Sequence, residues 1–480
     1  MQQRATKIVA TLGPASSGKA QLAELIAAGV DVVRLNFSHG AADDHRQRAE
    51  TVRATAQQAG RTVGIMADLQ GPKIRIGKFA AGPVTLQTGQ SFILDAQCAL
   101  GDATRVGLDY PELVEDVAAG DVLLLDDGRM VLDVERVEGS QIHCRNRHAG
   151  ELSNNKGINK QGGGLAAPAL TPKDMQDIKT AAALNVDFVA VSFPKNGADM
   201  RHARQLLHEA GSDALVIAKI ERVEAIDNLA DILHAADGVM VARGDLAVEV
   251  GDAAVPALQK RIIRQAREAN RFVITATQMM ESMITSPVPT RAEVSDVANA
   301  VLDGTDAVML SAETASGAYP TAAVRAMARV CVAAEQSHEI VPDTHFLQRT
   351  FSRIDQSIAM AALFTAVHLP VKAIAALTES GSTPLWMSRL NSGVPIYALT
   401  SRSRTRYRVS IFRDVYPLLT NYVAIDRDEL LWHAEETLLA AGAVEEGDLI
   451  ILTIGEPIGL AGGTNTMKLV KVGEHRRPAA

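Results

Sequence analysis

Two stretches in the middle of the chain, Ala218-Lys219-Ile220-Glu221 and Val239-Met240-Val241-Ala242-Arg243-Gly244-Asp245, decide how the fold is interpreted. Each begins with a short apolar run and ends in charged residues. Apolar runs of this length between helical patterns are typical of strands buried on both faces of a parallel sheet. Charge at the carboxyl end of such strands indicates an active site.

The charged ends of these two strands also indicate a type of chemistry. A lysine and two carboxylates that meet there, Lys219, Glu221 and Asp245, would bind a divalent metal ion and stabilise a phosphoryl group. The alternative is a structural salt bridge at the rim of a barrel, which we would favour for a single charged residue. Three such residues on neighbouring strands favour a functional site.

Strand–helix units like these extend along the chain in both directions. The predicted strands are residues 7–14, 31–40, 63–68, 188–192, 215–219, 238–242, 272–277 and 307–311. Eight units predict a (β/α)8 TIM barrel, an α/β fold whose chemistry lies at the carboxyl ends of its strands.

The strand–helix pattern breaks between residues 71 and 168. Short β-like runs lie at residues 84–86, 91–94, 122–125 and 130–134, with turn signals between them. This pattern predicts a small all-β domain that is inserted into the TIM barrel. We expect this domain to resemble a β-barrel and to serve as a lid. We interpret Gln161-Gly162-Gly163-Gly164 as the flexible hinge by which the chain returns to the barrel.

A third region follows, in which predicted strands at residues 373–377, 395–399 and 448–453 alternate with helical stretches. This alternation is typical of an open α/β domain. The predicted domains are residues 1–70 with 169–342 for the barrel, 71–168 for the inserted domain and 343–480 for a C-terminal regulatory domain.

Composition limits the class of protein. Apolar residues make up 47% of the 480 residues, yet no apolar run approaches the roughly 18 residues of a transmembrane helix. We expect no signal peptide and no membrane partner. The three cysteines lie far apart, which fits a reducing cytosol, and the net charge of −8 argues against nucleic acid as a partner. A cytoplasmic protein is predicted.

Polar residues that follow the predicted strands form a candidate site. They are Arg34, Asn36, Ser38, His39, Asp68, Lys219, Glu221, Gly244, Asp245, Thr277, Gln278, Ser311 and Glu313, with Arg75 and Lys156 at the two ends of the inserted domain. Cations, hydroxyls and two well-placed carboxylates suit a small anionic substrate together with Mg²⁺. The missing side chain of Gly244 lets its backbone N–H approach a ligand closely.

These residues and the motifs around them resemble those of the pyruvate kinase family. The similar motifs are residues 7–14, Arg34-Leu35-Asn36-Phe37-Ser38-His39-Gly40, Gly71-Pro72-Lys73-Ile74-Arg75, Lys156-Gly157-Ile158-Asn159, residues 218–221, 241–246 and 276–283, Pro289-Thr290-Arg291-Ala292-Glu293 and residues 309–314. They span nearly the whole chain and keep the family's order, so the resemblance is highly specific.

The resemblance implies transfer of a phosphoryl group from phosphoenolpyruvate to ADP, giving pyruvate and ATP. By position, Glu221 and Asp245 match the Mg²⁺ ligands (with Mn²⁺ as an alternative ion), and Lys219 matches the cation that stabilises the transferring group. Other residues match further family sites. Arg34 matches a phosphate contact, and the cradle for the substrate carboxylate is matched by Gly244, Asp245 and Thr277. The nucleotide contacts are matched by Asn36, Ser38, His39, Arg75 and Lys156. The resemblance makes Thr277, or a water chain with Ser311 and Glu313, the candidate donor of the proton that the enolate gains on carbon.

One departure concerns the monovalent cation. Many family members have Thr at the position of Leu69 and Glu at that of Lys73, and they need K⁺, whose other ligands match Asn36, Ser38 and Asp68. We hypothesise that the Lys73 ammonium replaces K⁺, so that K⁺ is not required. Such a charge about 4 Å from a substrate anion is worth roughly 4 kcal/mol at an effective dielectric constant of 20. The alternative is a solvated surface lysine.

The C-terminal region carries a hydroxyl-rich turn that follows a strand. Thr378, Ser380, Gly381, Ser382 and Thr383 form an anion nest in this interpretation, although Ser/Gly turns also serve plain helix capping. In the family, this loop matches part of a site for a phosphorylated effector. The nearby Arg402, Arg404, Arg406 and Arg408 are equally well explained as a solvated face. A homotetramer is expected from the resemblance alone.

Two other functions remain as alternatives from the residues. The first is a Mg²⁺-dependent lyase of 2-oxo acids, which would not require the inserted domain with Arg75 and Lys156. The second is a non-catalytic sensor of sugar phosphates. Intact Lys219, Glu221, Asp245 and Thr277 argue against a sensor.

We predict that Lys219→Ala loses phosphoryl transfer while substrate binding survives. Removing one preorganised charge from a phosphoryl-transfer site costs on the order of 10²–10³ in rate. Steady-state pyruvate formation and equilibrium binding of phosphoenolpyruvate would test this, and near-wild-type turnover would contradict the assignment.

Overall fold

A computed structural model describes residues 4–337, 350–390, 392–420, 427–457 and 462–474 of the chain. In chain order its strands are β1 (Lys7–Thr11), β2 (Val32–Asn36), β3 (Gly64–Asp68), β4 (Val84–Leu86), β5 (Ser91–Asp95), β6 (Arg105–Val106), β7 (Val122–Leu125), β8 (Met130–Glu138), β9 (Gln141–Asn146), β10 (Gly150–Leu152), β11 (Ile158–Lys160), β12 (Phe188–Val191), β13 (Leu215–Ile220), β14 (Gly238–Ala242), β15 (Phe272–Ala276), β16 (Ala307–Leu310), β17 (Val371–Leu377), β18 (Ile396–Thr400), β19 (Val415–Leu419), β20 (Leu449–Gly455) and β21 (Thr464–Lys471).

Helices follow most of these strands. In chain order they are α1 (Lys19–Ala28), α2 (Ala42–Gln58), α3 (Leu113–Asp116), α4 (Pro172–Ala183), α5 (Gly197–Glu209), α6 (Val223–Asp227), α7 (Leu229–Ala235), α8 (Arg243–Val250), α9 (Val255–Glu268), α10 (Arg291–Leu302), α11 (Ala312–Ala315), α12 (Pro320–Glu335), α13 (Ile354–His368), α14 (Ser382–Ser388), α15 (Ser403–Arg408) and α16 (Arg427–Ala440). None of the described helices is long and apolar enough to cross a membrane.

The predicted TIM barrel is confirmed. Within the described chain, eight strands close into a barrel in the order β1-β16-β15-β14-β13-β12-β3-β2. In β13 and β14, the strands of the deciding stretches, Lys219 lies opposite Met240 and Ile220 opposite Val241. Their charged carboxyl ends therefore lie side by side, as a parallel pairing requires.

Four aspartates, each just before a barrel strand, share one arrangement in the described residues. We refer to Asp31, Asp187, Asp237 and Asp306 as the amino-terminal aspartates. Their carboxylates accept the backbone N–H of a residue on the preceding barrel strand, at 2.9 Å from Ile8, 2.7 Å from Ile65, 2.8 Å from Val216 and 2.9 Å from Val273. Each aspartate N–H in turn donates to the carbonyl of that same residue. The reciprocal pair fixes strand register at that end of the strands.

Each amino-terminal aspartate also faces an arginine. The partners are Arg4 of Asp31, Arg53 of Asp187, Arg204 of Asp237 and Arg389 of Asp306. Arg389 and Asp306 are both 1% exposed, whereas the Arg204 side chain is 44% exposed. The same motif therefore occurs both in the interior and at the surface.

The inserted segment is mostly β structure, as predicted, and among its described residues it also contains the four-residue helix α3. In the part of the chain that is described, it forms a six-stranded sheet in the order β11-β7-β8-β9-β5-β6 and a two-stranded sheet of β10 and β4. Phe92, Leu123, Leu132 and Ile142 lie in a separate hydrophobic core inside it. A core of its own lets this segment keep its shape independently of the barrel strands.

The C-terminal open α/β domain is confirmed as well. Its described strands form a sheet in the order β19-β18-β17-β20-β21. The first four strands are parallel and β21 pairs antiparallel with β20.

The chain forms two compact units, and their boundaries do not coincide with those of the three sheet-forming regions. One unit comprises residues 1–67, 181–189 and 263–480, and the other comprises residues 68–180 and 190–262. The three-domain partition at residues 70, 168 and 342 stays a prediction.

The amino-terminal aspartates lead to a stability prediction with a built-in control. Arg389→Leu leaves the buried Asp306 carboxylate without its charge partner, so we expect the free energy of unfolding to fall by about 3 kcal/mol or more. Arg204→Leu removes the equivalent partner at the surface and should cost less than about 1 kcal/mol. Denaturant unfolding of both variants tests this; equal losses would mean that burial does not set the strength of the motif.

Candidate active site

Lys219 is the centre of a charged cluster at the carboxyl end of β13. Its ammonium lies 2.9 Å from Glu221 Oε1, 3.4 Å from Asp68 Oδ1 and 2.7 Å from the Ser192 hydroxyl. Lys219 and Glu221 are two residues apart, so on a strand they project to the same side. The structure therefore brings together three residues that the sequence predicted, Asp68, Lys219 and Glu221.

Glu221 experiences strong and opposed electrostatic effects. Its side chain is fully buried. Burial raises the pKa of the Glu221 carboxyl, the Lys219 ammonium opposes this, and the Asp245 and Asp68 carboxylates raise it further. Asp245 is thus close enough to Glu221 to interact with it, as the predicted pair of metal ligands requires.

The donor set fits a hard divalent cation. The carboxylates of Asp68, Glu221 and Asp245 outnumber the ammonium groups of Lys73 and Lys219, and oxygen ligands suit Mg²⁺. In the described residues, no three His, Cys, Asp or Glu side chains form a metal-binding group by themselves. Mg²⁺ commonly takes one or two carboxylates and fills its remaining positions with water and substrate oxygens.

Gly244 and Asp245 lie in the first turn of α8, which begins directly where β14 ends. The amino end of a helix carries partial positive charge and favours an anion. This location agrees with the predicted cradle for a substrate carboxylate.

Lys73 contacts a predicted metal ligand. Its ammonium is 3.1 Å from Asp245 Oδ1 and 3.8 Å from the exposed Asp127 carboxylate. The Lys73 side chain is 27% exposed, so it is not the freely solvated lysine of the alternative interpretation. Its ion pairs join it to Asp245, whereas Asp68, a predicted K⁺ ligand, pairs with Lys219.

Arg75 and Lys156 come together on the inserted segment. Arg75 forms a β-bridge with Gly157, next to Lys156, and its guanidinium donates to the Asn155 carbonyl at 3.1 Å. The Lys156 ammonium lies 2.7 Å from Asp126. Two half-exposed cations on adjacent backbone suit an anion such as a nucleotide phosphate.

A second group of predicted residues lies in the other compact unit. The Arg34 guanidinium donates to the Thr11 hydroxyl at 3.1 Å, and the Ser38 N–H donates to the Asn36 side-chain oxygen at 3.1 Å. His39 follows as an exposed residue. The Asn36 to Ser38 bond gives the loop after β2 a fixed turn.

Thr277 has an unusual backbone. Its φ is +67° and that of Gln278 is +54°. A β-branched residue rarely adopts positive φ, and such conformations cluster at functional sites. Sequence patterns gave no sign of this strained turn, although Thr277 itself was predicted from its position after β15.

The Glu313 carboxylate stabilises this turn. Glu313 is buried and accepts the N–H of Ser311 at 2.7 Å and that of Met280 at 3.2 Å. Burial raises the pKa of the Glu313 carboxyl. The structure thus gives Glu313 a role in joining the loop after β15 to the end of β16, while the predicted proton relay stays a prediction.

The predicted effector loop has two kinds of hydroxyl. Thr378 accepts the Gly381 N–H at 2.9 Å, and the buried Thr383 hydroxyl bonds that of Thr464 at 2.7 Å. Ser380 and Ser382 are more exposed and their hydroxyls are 3.1 Å apart. Thr378 and Thr383 therefore hold the loop, and Ser380 and Ser382 are its more exposed hydroxyl residues.

Ser192 is a site residue that the sequence analysis missed. It accepts a hydrogen bond from Lys219 and donates one to the Leu69 carbonyl at 2.7 Å. The signal was present, because Ser192 follows β12 just as other predicted site residues follow their strands. A lone serine carries no charge, so its residue type alone does not indicate a site.

Comparisons with known proteins agree with this geometry. Residues 3–324 match the pyruvate kinase barrel domain, and residues 356–470 match the pyruvate kinase alpha/beta domain. The chain is 51% identical to pyruvate kinase II of Salmonella typhimurium, over 98% of this chain and 99% of that protein. It is 50% identical to the pyruvate kinase of Haemophilus influenzae, over 94% and 96%. A crystal structure of a pyruvate kinase from Cryptosporidium parvum superposes with a TM-score of 0.92 at 34% identity, covering 98% of this chain and 96% of that one.

We predict that Ser192→Ala lowers kcat about tenfold, because the Lys219 ammonium loses one of the groups that orient it. Ser401→Ala, at an exposed serine, is the control and should leave kcat unchanged. Steady-state pyruvate formation measures both. A Ser192→Ala enzyme as active as the control would show that Lys219 needs no support from this hydroxyl.

Proposed function

Since this chain belongs to the pyruvate kinase family and transfers the phosphoryl group of phosphoenolpyruvate to ADP, we propose that the cluster around Lys219 performs the transfer. Glu221 and Asp245 would hold Mg²⁺, with Mn²⁺ as an alternative. The bound ion would supply charge neutralisation to the phosphoryl oxygens. The observation that carries this proposal is the largely buried Lys219 ammonium, which lies 2.9 Å from Glu221 and 3.4 Å from Asp68.

The remaining predicted residues receive roles in the same reaction. The phosphorus–oxygen bond of phosphoenolpyruvate breaks and a terminal oxygen of ADP takes the phosphoryl group, which leaves an enolate that gains a proton on carbon. Lys219 and Arg34 would offset phosphoryl charge, and Gly244, Asp245 and Thr277 would orient the substrate. Asn36, Ser38, His39, Arg75 and Lys156 would contact the nucleotide.

Membership of this family removes the two other interpretations of the sequence. A lyase of 2-oxo acids and a non-catalytic sensor would each leave most of the family's motifs without a purpose. The reaction from phosphoenolpyruvate and ADP to pyruvate and ATP is a step of glycolysis.

We propose in addition that the enzyme works without K⁺. The support is the Lys73 ammonium, which lies 3.1 Å from Asp245 and so brings a fixed monovalent charge to the predicted metal ligand. A tethered ammonium needs no cation from solution, and its charge acts at short range in a partly buried site. Leu69, with an apolar side chain that is 2% exposed, offers no oxygen in place of the family's threonine.

Regulation is proposed at the C-terminal loop. The exposed Ser380 and Ser382 hydroxyls support binding of a phosphorylated metabolite there, and Arg402, which is exposed and paired with Glu379, adds a nearby cation. The homotetramer remains a prediction from the resemblance, and the cytoplasmic location remains a prediction from the composition and the cysteine spacing.

The K⁺ proposal is tested by restoring the family's pair in Leu69→Thr/Lys73→Glu. We expect this variant to lose about 10²-fold in activity in buffer free of K⁺ and NH₄⁺, and to recover when K⁺ is added. Pyruvate formation from phosphoenolpyruvate, ADP and Mg²⁺ is the measurement.

The matched control is Lys78→Glu, which reverses the charge of an exposed lysine in the same segment. It should remain active without K⁺, like the unaltered enzyme. An unaltered enzyme that needs K⁺ would end the proposal for Lys73 but leave the reaction intact.

A further inference from the structure

The inserted segment rejoins the barrel chain through three consecutive glycines. Gly162, Gly163 and Gly164 have φ values of +83°, +78° and +88°. Only glycine adopts this region without strain. The return crossing is therefore a short stretch of backbone with few internal restraints, and its position has to be set by neighbouring groups.

Glu224 provides the main side-chain restraint on this crossing. Its Oε1 accepts the Gly164 N–H at 2.6 Å. A Cβ placed on Gly163 would lie 2.9 Å from the same oxygen, so the Glu224 carboxylate lies directly against the glycine backbone. The other carboxylate oxygen, Oε2, is buried with no hydrogen-bond partner. An acceptor kept in this state costs stability, which calls for a functional reason.

Glu224 is also tied to the predicted metal site through its own backbone. It lies in α6, three residues after Glu221. The N–H of the intervening Val223 donates to the buried Glu249 carboxylate of α8 at 3.0 Å, and the Glu249 carbonyl accepts the Gly162 N–H at 3.2 Å. Residues 221–224, the end of α8 and the glycine crossing are therefore joined by hydrogen bonds.

The first crossing of the inserted segment, at residues 69–71, is connected to strand β13. Ser192 bonds the Leu69 carbonyl and Lys219, and Asp174 accepts the Gly71 N–H at 3.1 Å. The first crossing is thus linked to Lys219 of β13 through Ser192, and the return crossing is bonded to Glu224 in α6, the helix that follows β13. The inserted segment carries Arg75 and Lys156, so the crossings decide where these two cations lie.

We propose that Glu224 is a positioning residue for ADP: by holding the glycine crossing against residues 221–224, it places Arg75 and Lys156 relative to Lys219 and Glu221. This inference rests on the proposed nucleotide role of Arg75 and Lys156. Glu224 itself touches no reacting atom, and its effect passes through the backbone of Gly163 and Gly164.

The first test is Glu224→Ala beside Glu224→Gln in the full-length enzyme. Loss of the acceptor in Glu224→Ala should raise the KM for ADP about tenfold while the KM for phosphoenolpyruvate stays within twofold. Glu224→Gln keeps a carbonyl acceptor and should recover most of the ADP affinity. A merely structural role would lower thermal stability without separating the two KM values, and that result would overturn the proposal.

A pair of glycine variants tests the same contact without removing the carboxylate. Gly163→Ala drives a methyl group into Glu224, whereas Gly162→Ala meets nothing within 4 Å at a nearly identical φ. Both carry the same backbone strain, so a raised KM for ADP in Gly163→Ala alone supports the proposal. Equal changes in both variants would attribute the effect to strain and overturn it.

Failure of the proposed metal site is distinguishable from failure of this inference. Binding of Mn²⁺ alone, followed by the electron paramagnetic resonance signal of the free ion, should weaken in Glu221→Gln and stay unchanged in Glu224→Gln. Unweakened Mn²⁺ binding in Glu221→Gln would overturn the metal assignment. The ADP comparison would still decide the role of Glu224.

Discussion

The barrel depends on one repeated interaction, in which an aspartate at the start of a strand accepts the N–H of the strand before it. This happens at Asp31, Asp187, Asp237 and Asp306, and each carboxylate is neutralised by an arginine. A parallel sheet has evenly spaced hydrogen bonds that do not by themselves select a register. The four side chains supply that selection where the strands begin, which leaves their far ends available for other chemistry.

The carboxyl ends of the strands also carry acidic and basic residues, but there the negative charges outnumber the positive ones. Carboxylates at the amino ends are matched by arginines, whereas the buried Glu221 shares one ammonium with Asp68 and is further destabilised by Asp245. An excess of buried negative charge is unfavourable until a cation arrives. The fold thus stabilises one end of its strands and accepts an electrostatic cost at the other, and a divalent cation bound there would relieve this cost.

Much of this was predictable because it follows from local sequence. The strand–helix alternation predicted the eight barrel strands. The charged residues that follow the strands led to the prediction of Lys219, Glu221 and Asp245 as site residues. Three features were not predictable, for a physical reason in each case. Ser192 is a neutral residue whose role depends on Lys219 lying beside it. The positive φ of Thr277 is imposed by surrounding structure. The amino-terminal aspartates pair with arginines that are 27, 134, 33 and 83 residues away in the sequence.

The pairing of β1 with β16 has a consequence for synthesis of the chain. Lys7 lies opposite Ala307, so one edge of the first strand waits for a partner made 300 residues later. At roughly 5–20 residues per second, a ribosome needs about 15–60 s to supply it. During that time the strand has an unpaired edge of the kind that favours aggregation. The closed barrel therefore makes the nascent chain, more than the finished enzyme, the form that most needs protection by chaperones.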